Sequence, residues 1–245
     1  MKTVFKLRIY HLILPGILVM LFSSCRKEPG GPNISRTTVK DVNGNEYGVM
    51  TIGDQEWMTS NLHAANFNDG SPIQTWLYAG YEWASANAAF CTYHPTYIDG
   101  LNTEDEVRDI YGYLYNWMAV NDSRGLCPTG FRVPTEEDWD ELVTFLGGED
   151  VAGGKLKSMR TAPNSHPYWE TPNTGATDKY SFKALPTGFR SSTGQYDGVC
   201  YYAEWWSSTA YNNDLIHTYS ASYNDAGLYA GYGKKKAGYA VRCMH

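Results

Sequence analysis

The sequence contains none of the short motifs that mark common enzyme classes. It has no glycine-rich phosphate loop, no HExxH zinc helix, no GxSxG nucleophile turn and no CxxC pair. None of the six histidines is paired at metal-ligand spacing. We therefore predict no metal site, no cofactor and no catalytic residues.

Basic residues are in the minority. The chain has 20 Lys and Arg against 26 Asp and Glu, a net charge of −6. Three of the basic residues and none of the acidic ones lie in the first 24 positions, so the remaining 221 residues carry a net charge of −9. An acidic chain without a basic patch is not expected to bind nucleic acid or to dock electrostatically on anionic lipid.

A long uninterrupted apolar run is also missing. Residues 9–22 are mostly apolar, but this stretch is shorter than the ~20 residues of a membrane span and contains Pro15-Gly16. Basic residues precede it, and Ser23-Ser24-Cys25 follows it. A basic start, a short apolar stretch and small residues before a cleavage point predict a secretory signal over residues 1–24.

The end of this signal, Leu21-Phe22-Ser23-Ser24-Cys25, resembles a bacterial lipobox, whose cysteine is diacylated and becomes the new N-terminus. Phe22 stands where leucine is usual, and an ordinary cleaved signal is the alternative. We expect Cys25 to carry the lipid and residues 25–38, rich in Gly, Pro, Ser and Thr, to form a flexible tether. This implies an outer-membrane lipoprotein that contacts the membrane only through its lipid, with the periplasmic and the cell-surface face both open.

Residues 39–245 predict one globular domain of the α+β class. Val39–Met58 has the pattern of a β-hairpin with a strong Asn-Gly turn. Thr135–Leu146 predicts an amphipathic helix capped by its first threonine, and a second helix-like stretch lies within residues 102–120. After Gly153 the pattern changes to short strands and loops.

Four cysteines lie in this domain, at positions 91, 127, 200 and 243. An even number of cysteines in an exported protein predicts two disulfides. Their positions alone leave three pairings open.

Aromatic residues are abundant, with 20 tyrosines and 8 tryptophans in the chain. Such side chains suit both cores and recognition surfaces. We predict that Trp57, Trp117, Trp139 and Trp205 lie in the core, because apolar residues surround them in sequence. The candidates for an exposed ligand-binding surface lie in late, glycine-interrupted segments expected to be loops: Tyr201, Tyr202, Trp206, Tyr211, Tyr223, Tyr229 and Tyr232.

A series of ordered motifs resembles a known family. The series includes Trp57-Met58-x-x-Asn61-Leu62, Cys127-Pro128-Thr129-Gly130-Phe131-Arg132-Val133-Pro134, Trp205-Trp206-Ser207-Ser208-Thr209 and Val241-Arg242-Cys243. Together they resemble the Fibrobacter succinogenes major paralogous domain (FISUMP) over about residues 39–245. The resemblance implies a secreted or cell-surface bacterial protein and brings no settled biochemical activity.

A more distant resemblance concerns the fold. The segment from Phe131 to Trp139 and the closing residues 238–242 are similar to motifs of formylglycine-generating-enzyme-like domains. That group implies a C-type-lectin-like fold, with two helices, a small twisted, mostly antiparallel sheet and long irregular loops. Its copper-dependent oxidases use two nearby cysteines, whereas Cys200 has no close partner in sequence.

The same resemblance suggests how the cysteines pair. In the lectin-like fold the last strand lies beside the early helix–strand region, which implies a Cys127–Cys243 disulfide. The two cysteines outside the family motifs are then expected to form Cys91–Cys200. The competing possibility keeps Cys200 as a free thiol.

These observations favour a lipid-anchored binding or adhesion module that recognises a glycan or a surface protein through aromatic loops. One alternative is an enzyme on the same scaffold, either a copper-dependent oxidase or a hydrolase. Another is a structural subunit of a surface assembly.

The lipid anchor can be tested by the substitution Cys25→Ser. We expect the variant to leave the membrane fraction and to stay folded, because acyl chains supply about 0.8 kcal/mol per buried CH₂ and the tether buries nothing. Membrane flotation followed by circular dichroism measures both properties. A variant that still floats with membranes would place the anchor elsewhere.

Overall fold

The computed structural model describes residues 37–75 and 80–245. Cys25, the signal and residues 25–36 of the tether lie outside the described residues, so the anchor stays a prediction. No helix in the described ranges is both long and apolar enough to cross a membrane.

The described chain contains both helices and strands, as the sequence predicted. The strands are β1 (Thr38–Lys40), β2 (Glu46–Ile52), β3 (Gln55–Met58), β4 (Gln74–Thr75), β5 (Ala89–Cys91), β6 (Leu114–Tyr115), β7 (Thr187–Arg190), β8 (Tyr196–Val199), β9 (Tyr202–Ala210), β10 (Leu215–Ser222), β11 (Tyr229–Lys234) and β12 (Tyr239–Ala240). The helices are α1 (Gly80–Ser85), α2 (Glu104–Tyr111), α3 (Trp117–Val120), α4 (Glu136–Phe145) and α5 (Glu149–Leu156), with a 3₁₀ turn at Pro95–Tyr97.

Two sheets organise these elements. Strands β1, β2 and β3 form a small antiparallel sheet. The larger sheet has the order β11-β10-β9-β12-β6-β5-β4, and β7 joins it beside β9 while pairing with β8. It is curled and mostly antiparallel, with parallel contacts at β4–β5, β9–β12 and β7–β9.

The predicted hairpin is confirmed, and its turn chemistry explains why it forms. Asp41 accepts hydrogen bonds from the backbone N–H groups of Asn43 and Asn45 at 2.9 and 3.0 Å. Gly44 adopts a φ of +85°, which suits glycine in a tight turn. A second turn at Gly53, with a φ of +63°, reverses the chain into β3.

The predicted capped helix is also confirmed, as α4. Thr135 accepts from the backbone N–H of Asp138, and the Asp138 carboxylate accepts in return from the Thr135 backbone N–H at 2.7 Å. The helix-like stretch at 102–120 is helical only in part. Gly112, with a φ of +78°, ends α2, and the chain then forms β6 and the single turn α3.

Helix α5 was not predicted from the sequence. The C-type-lectin-like resemblance implies only two helices. Glycines in the middle of α5 concealed it, because glycine is a poor helix former. A Cβ on Gly153 would lie 1.9 Å from the Gly227 carbonyl oxygen, and one on Gly154 would lie 2.4 Å from that of Gly175. Close backbone packing therefore requires glycine at both positions.

The main core lies between the larger sheet and α4. Trp139 of α4 stacks on Tyr219 of β10 with ring centroids 5.1 Å apart, and it lies 5.8 Å from Trp205 of β9. Trp57 packs on Trp139 at 4.8 Å. The prediction of buried tryptophans is confirmed for these three, whereas Trp117 is only partly buried.

The C-terminal segment pairs with two early parts of the chain. The backbone N–H of Met58 donates to the Cys243 carbonyl at 3.0 Å, and Arg132 and Met244 exchange two backbone hydrogen bonds. This arrangement brings Cys127 and Cys243 together in a disulfide that spans 116 residues of sequence. The Cys127–Cys243 prediction agrees with the structure.

The predicted Cys91–Cys200 disulfide is wrong, because both cysteines are free. Cys91 lies in β5 and directs its Sγ to the Leu114 carbonyl of the neighbouring strand, 3.6 Å away. Cys200 lies in the turn before β9, beside Tyr168, and burial raises its pKa to about 11. A thiol that stays protonated near neutral pH lacks the thiolate character of reactive cysteines.

The close approach at α5 predicts the effect of Gly153→Ala. In an open helix this change would stabilise by up to ~1 kcal/mol. Here the clash with the Gly227 carbonyl dominates, and we expect a loss of about 2 kcal/mol or more in the free energy of unfolding. Urea denaturation measures it.

The control is Val151→Ala in the same helix, since Val151 is exposed. We expect that variant to change stability by no more than about 0.5 kcal/mol. A stabilised Gly153→Ala protein would contradict the packing of α5 described above.

Candidate binding face

The seven aromatic residues predicted to form one binding surface lie at different sites in the structure. Five of the seven candidates are exposed, Tyr223 is partly exposed and Trp206 is buried. The exposed tyrosines are Tyr201, Tyr202, Tyr211, Tyr229 and Tyr232. Tyr202, Tyr229 and Tyr232 lie on strands rather than in the expected loops. Because successive side chains along a strand point to opposite faces, these three do not share one face of the sheet.

The expectation that Trp206 is exposed is wrong. Its indole N–H donates to the Tyr115 carbonyl at 2.7 Å, and Tyr239 packs edge-to-face against it at 4.6 Å. The adjacent Trp205 is equally buried, because the curled sheet is packed on both faces at this point. A strand buried on both faces shows no alternation that would reveal it in sequence.

One exposed aromatic cluster surrounds His217 of β10. The rings of Tyr211 and Tyr232 stack with centroids 4.2 Å apart, and each makes an edge contact with the His217 ring. His217 Nδ1 lies 3.2 Å from a carboxylate oxygen of Glu136, at the start of α4. This cluster is therefore on the face of β10 that α4 covers.

The other tyrosines pack locally. Tyr201 and Tyr223 form an edge-to-face pair at 5.2 Å. Tyr229 folds back over Gly227, where a Cβ would lie 2.3 Å from the ring, and its hydroxyl donates to Asp225 at 3.1 Å. Tyr201 and Tyr223 thus pack on each other, whereas Tyr229 is paired with Ser220 across β10 and β11.

A row of polar side chains lies on the opposite face of β9 and β10. Glu204 is paired with Ser220 across the two strands, and Thr218 lies two residues along β10 from Ser220. Within the described part of the chain, none of these three side chains has a hydrogen-bond or ion-pair partner. Thr218 is only 5% exposed, but its hydroxyl oxygen is not fully buried, so water or a ligand can reach it.

Aromatic rings form a wall beside this row. The Tyr239 ring of β12 lies 6.1 Å from Phe189 of β7. A Cβ on Gly198 would lie 2.9 Å from the Tyr202 ring and 3.5 Å from Phe189, so these rings adjoin one another. We name Glu204, Ser220, Thr218 and the rings of Tyr202, Phe189 and Tyr239 the β9–β10 face.

The chemistry of the β9–β10 face is dominated by Glu204. Burial of its carboxyl raises the pKa to about 7, so the group changes charge near neutral pH. Gly231 of β11, opposite Thr218, has no side chain to cover the threonine hydroxyl. The face thus offers hydroxyl and carboxyl groups next to rings, which is the composition of a binding site for a small polar ligand.

Sequence reasoning missed Glu204, Ser220, Thr218 and Tyr239. The alternation in β10 contained a signal, because Thr218, Ser220 and Ser222 alternate with Tyr219 and Ala221. That pattern indicates a polar face, but it does not reveal which groups lie opposite. No group of three or more metal-ligating side chains occurs among the described residues.

Comparison with known proteins gives one match. The family model of the Fibrobacter succinogenes major domain matches residues 50–245. No curated protein and no solved structure matches the chain. The match covers the β9–β10 face, and it describes no activity.

The burial difference between two candidates predicts different costs of truncation. Trp206→Ala should lower the free energy of unfolding by about 3–5 kcal/mol, because it removes a buried ring and leaves a cavity. Tyr202→Ala should cost less than about 1 kcal/mol, because its ring is exposed. Chemical denaturation of both variants measures the two costs. Equal losses in the free energy of unfolding would contradict the assignment of Trp206 as buried and Tyr202 as exposed.

Proposed function

The chain belongs to the Fibrobacter succinogenes major domain family, and from the β9–β10 face we propose that it is a binding module outside the cytoplasm that recognises a glycan. The observation that carries the proposal is the row of Thr218, Ser220 and Glu204, whose polar groups lack partners within the described chain. Sugar hydroxyls would satisfy these groups, and the rings beside the row would pack on apolar sugar faces.

The predicted anchor fits this role. A lipid on Cys25 followed by a flexible tether would hold the domain at an outer membrane. We propose this location on the strength of the lipobox resemblance.

We also propose that the fold is C-type-lectin-like. The C-terminal segment pairs with early segments, and the larger sheet is curled and mostly antiparallel. Residues 157–186 form a long irregular connection between α5 and β7, without a helix or a regular strand. These features support the proposal, although the described residues contain more helices than the two that the resemblance implies.

Binding is favoured over hydrolysis by the surroundings of Glu204. A glycosidase needs a second carboxyl group across a cleft, about 5 to 9.5 Å away. Such a neighbour would raise the pKa of Glu204 by charge repulsion, whereas among the described residues burial alone accounts for the shift.

A glycan array with two variants tests the proposal. We expect the purified wild-type protein to bind a defined set of glycans. The double variant Thr218→Val/Ser220→Ala should bind them about tenfold more weakly, because each lost hydrogen bond contributes about 0.5–1.5 kcal/mol. Titration calorimetry on one bound glycan measures the change.

The matched control is Tyr211→Ala, which removes an exposed ring from the opposite face of the sheet. It should bind like the wild type. Loss of binding in this control with retention in the double variant would move the site to the His217 cluster. A protein that binds no glycan would contradict the proposal.

A further inference from the structure

The charge environment of Glu204 indicates what kind of ligand the β9–β10 face would take. The carboxyl is largely desolvated, and no lysine, arginine or histidine of the described chain forms an ion pair with it. A carboxylate without counter-charge or hydrogen-bond donors is unfavourable in such a place. Among the described residues, Glu204 therefore has no positively charged partner.

The groups that face Glu204 from neighbouring strands do not supply that charge. Strand β10 contributes only hydroxyls, β7 contributes Phe189, and the titratable groups on β9 and β12 are Tyr202 and Tyr239. On β8, Asp197 uses its carboxylate to accept from the Gly198 backbone N–H at 2.7 Å. These neighbours are aromatic, hydroxylic or acidic.

Tyr239 is close enough to Glu204 to sense its charge. The pKa of the Tyr239 hydroxyl is raised by burial and, in addition, by the negative charge of Glu204. A cation beside Glu204 would relieve both groups. The faces of aromatic rings attract ammonium groups, so the Tyr239 and Phe189 rings would add to that attraction.

We propose that the ligand of the β9–β10 face carries an organic ammonium group, which Glu204 binds as its counter-ion beside the Tyr239 ring. This inference rests on the proposed glycan-binding function and narrows it to glycans that bear a positively charged amino substituent. The hydroxyls of Ser220 and Thr218 would accept hydrogen bonds from the same group or from the sugar next to it.

Choline and its uncharged carbon isostere, dimethylbutanol, are a suitable pair of probes. They have the same shape, and the charge of choline does not change with pH. By chemical-shift titration we expect choline to bind wild-type protein at least tenfold more tightly than dimethylbutanol, with shifts centred on β9, β10 and β12.

The pH dependence has a defined sign. Only ionised Glu204 attracts the cation, and its pKa of about 7 means that roughly a tenth of the groups are ionised at pH 6 and nine tenths at pH 8. Choline affinity should therefore rise about tenfold from pH 6 to pH 8. Glu204→Gln should lose both the affinity and its pH dependence, whereas Tyr211→Ala should keep both.

The outcomes separate this inference from the proposed function. Equal binding of the two probes, or choline binding that Glu204→Gln retains, would overturn the ammonium site. Binding of neutral glycans at the same face, without pH dependence, would overturn it while the proposed function stands. Choline binding with no glycan bound on the array would overturn the proposed function and keep the ammonium site.

Discussion

The guanidinium of Arg242 is fully buried and donates its hydrogen bonds to neutral oxygen atoms. Its Nε and Nη2 donate to Asn61 Oδ1 at 3.0 and 2.9 Å, and Nη1 donates to the carbonyls of Met58 and Phe182 at 3.0 and 2.6 Å. A buried charge without such partners is strongly destabilising. The early hairpin, the irregular connection and the C-terminal segment must therefore assemble together around this side chain.

Asn61 extends the same network to the larger sheet. Its Oδ1 also accepts the indole N–H of Trp205 at 3.0 Å, and its Nδ2 donates to the Tyr111 carbonyl at 3.0 Å. Strand β9 is thus fixed by a hydrogen bond on one face. Because side chains alternate along a strand, the position of Trp205 also determines where Glu204 and Trp206 point.

The β9–β10 face lies on the side of the larger sheet opposite α4, at the point where the buried packing on that side ends. Trp206 and Ile216 belong to a second buried cluster, which also contains the disulfide-bonded Cys127 and Cys243. Beyond Trp206, at Glu204 and Ser220, side chains become partly exposed and lose internal partners. A rigid, doubly packed sheet that ends in unpaired polar groups holds them in fixed positions, which reduces the entropy lost when a ligand binds.

The sequence by itself determined the Asn43-Gly44 turn and the cap at Thr135, and its ordered motifs determined the family and three of the four predicted core tryptophans. The turn and the cap depend on short-range chemistry, so a few neighbouring residues suffice to predict them. Only the tertiary structure decided that Trp206 is buried, that Cys91 and Cys200 stay apart, and that Glu204 meets Ser220 beside Tyr239. Those outcomes depend on strand register and on packing over both faces of a curled sheet, which bring together residues far apart in sequence.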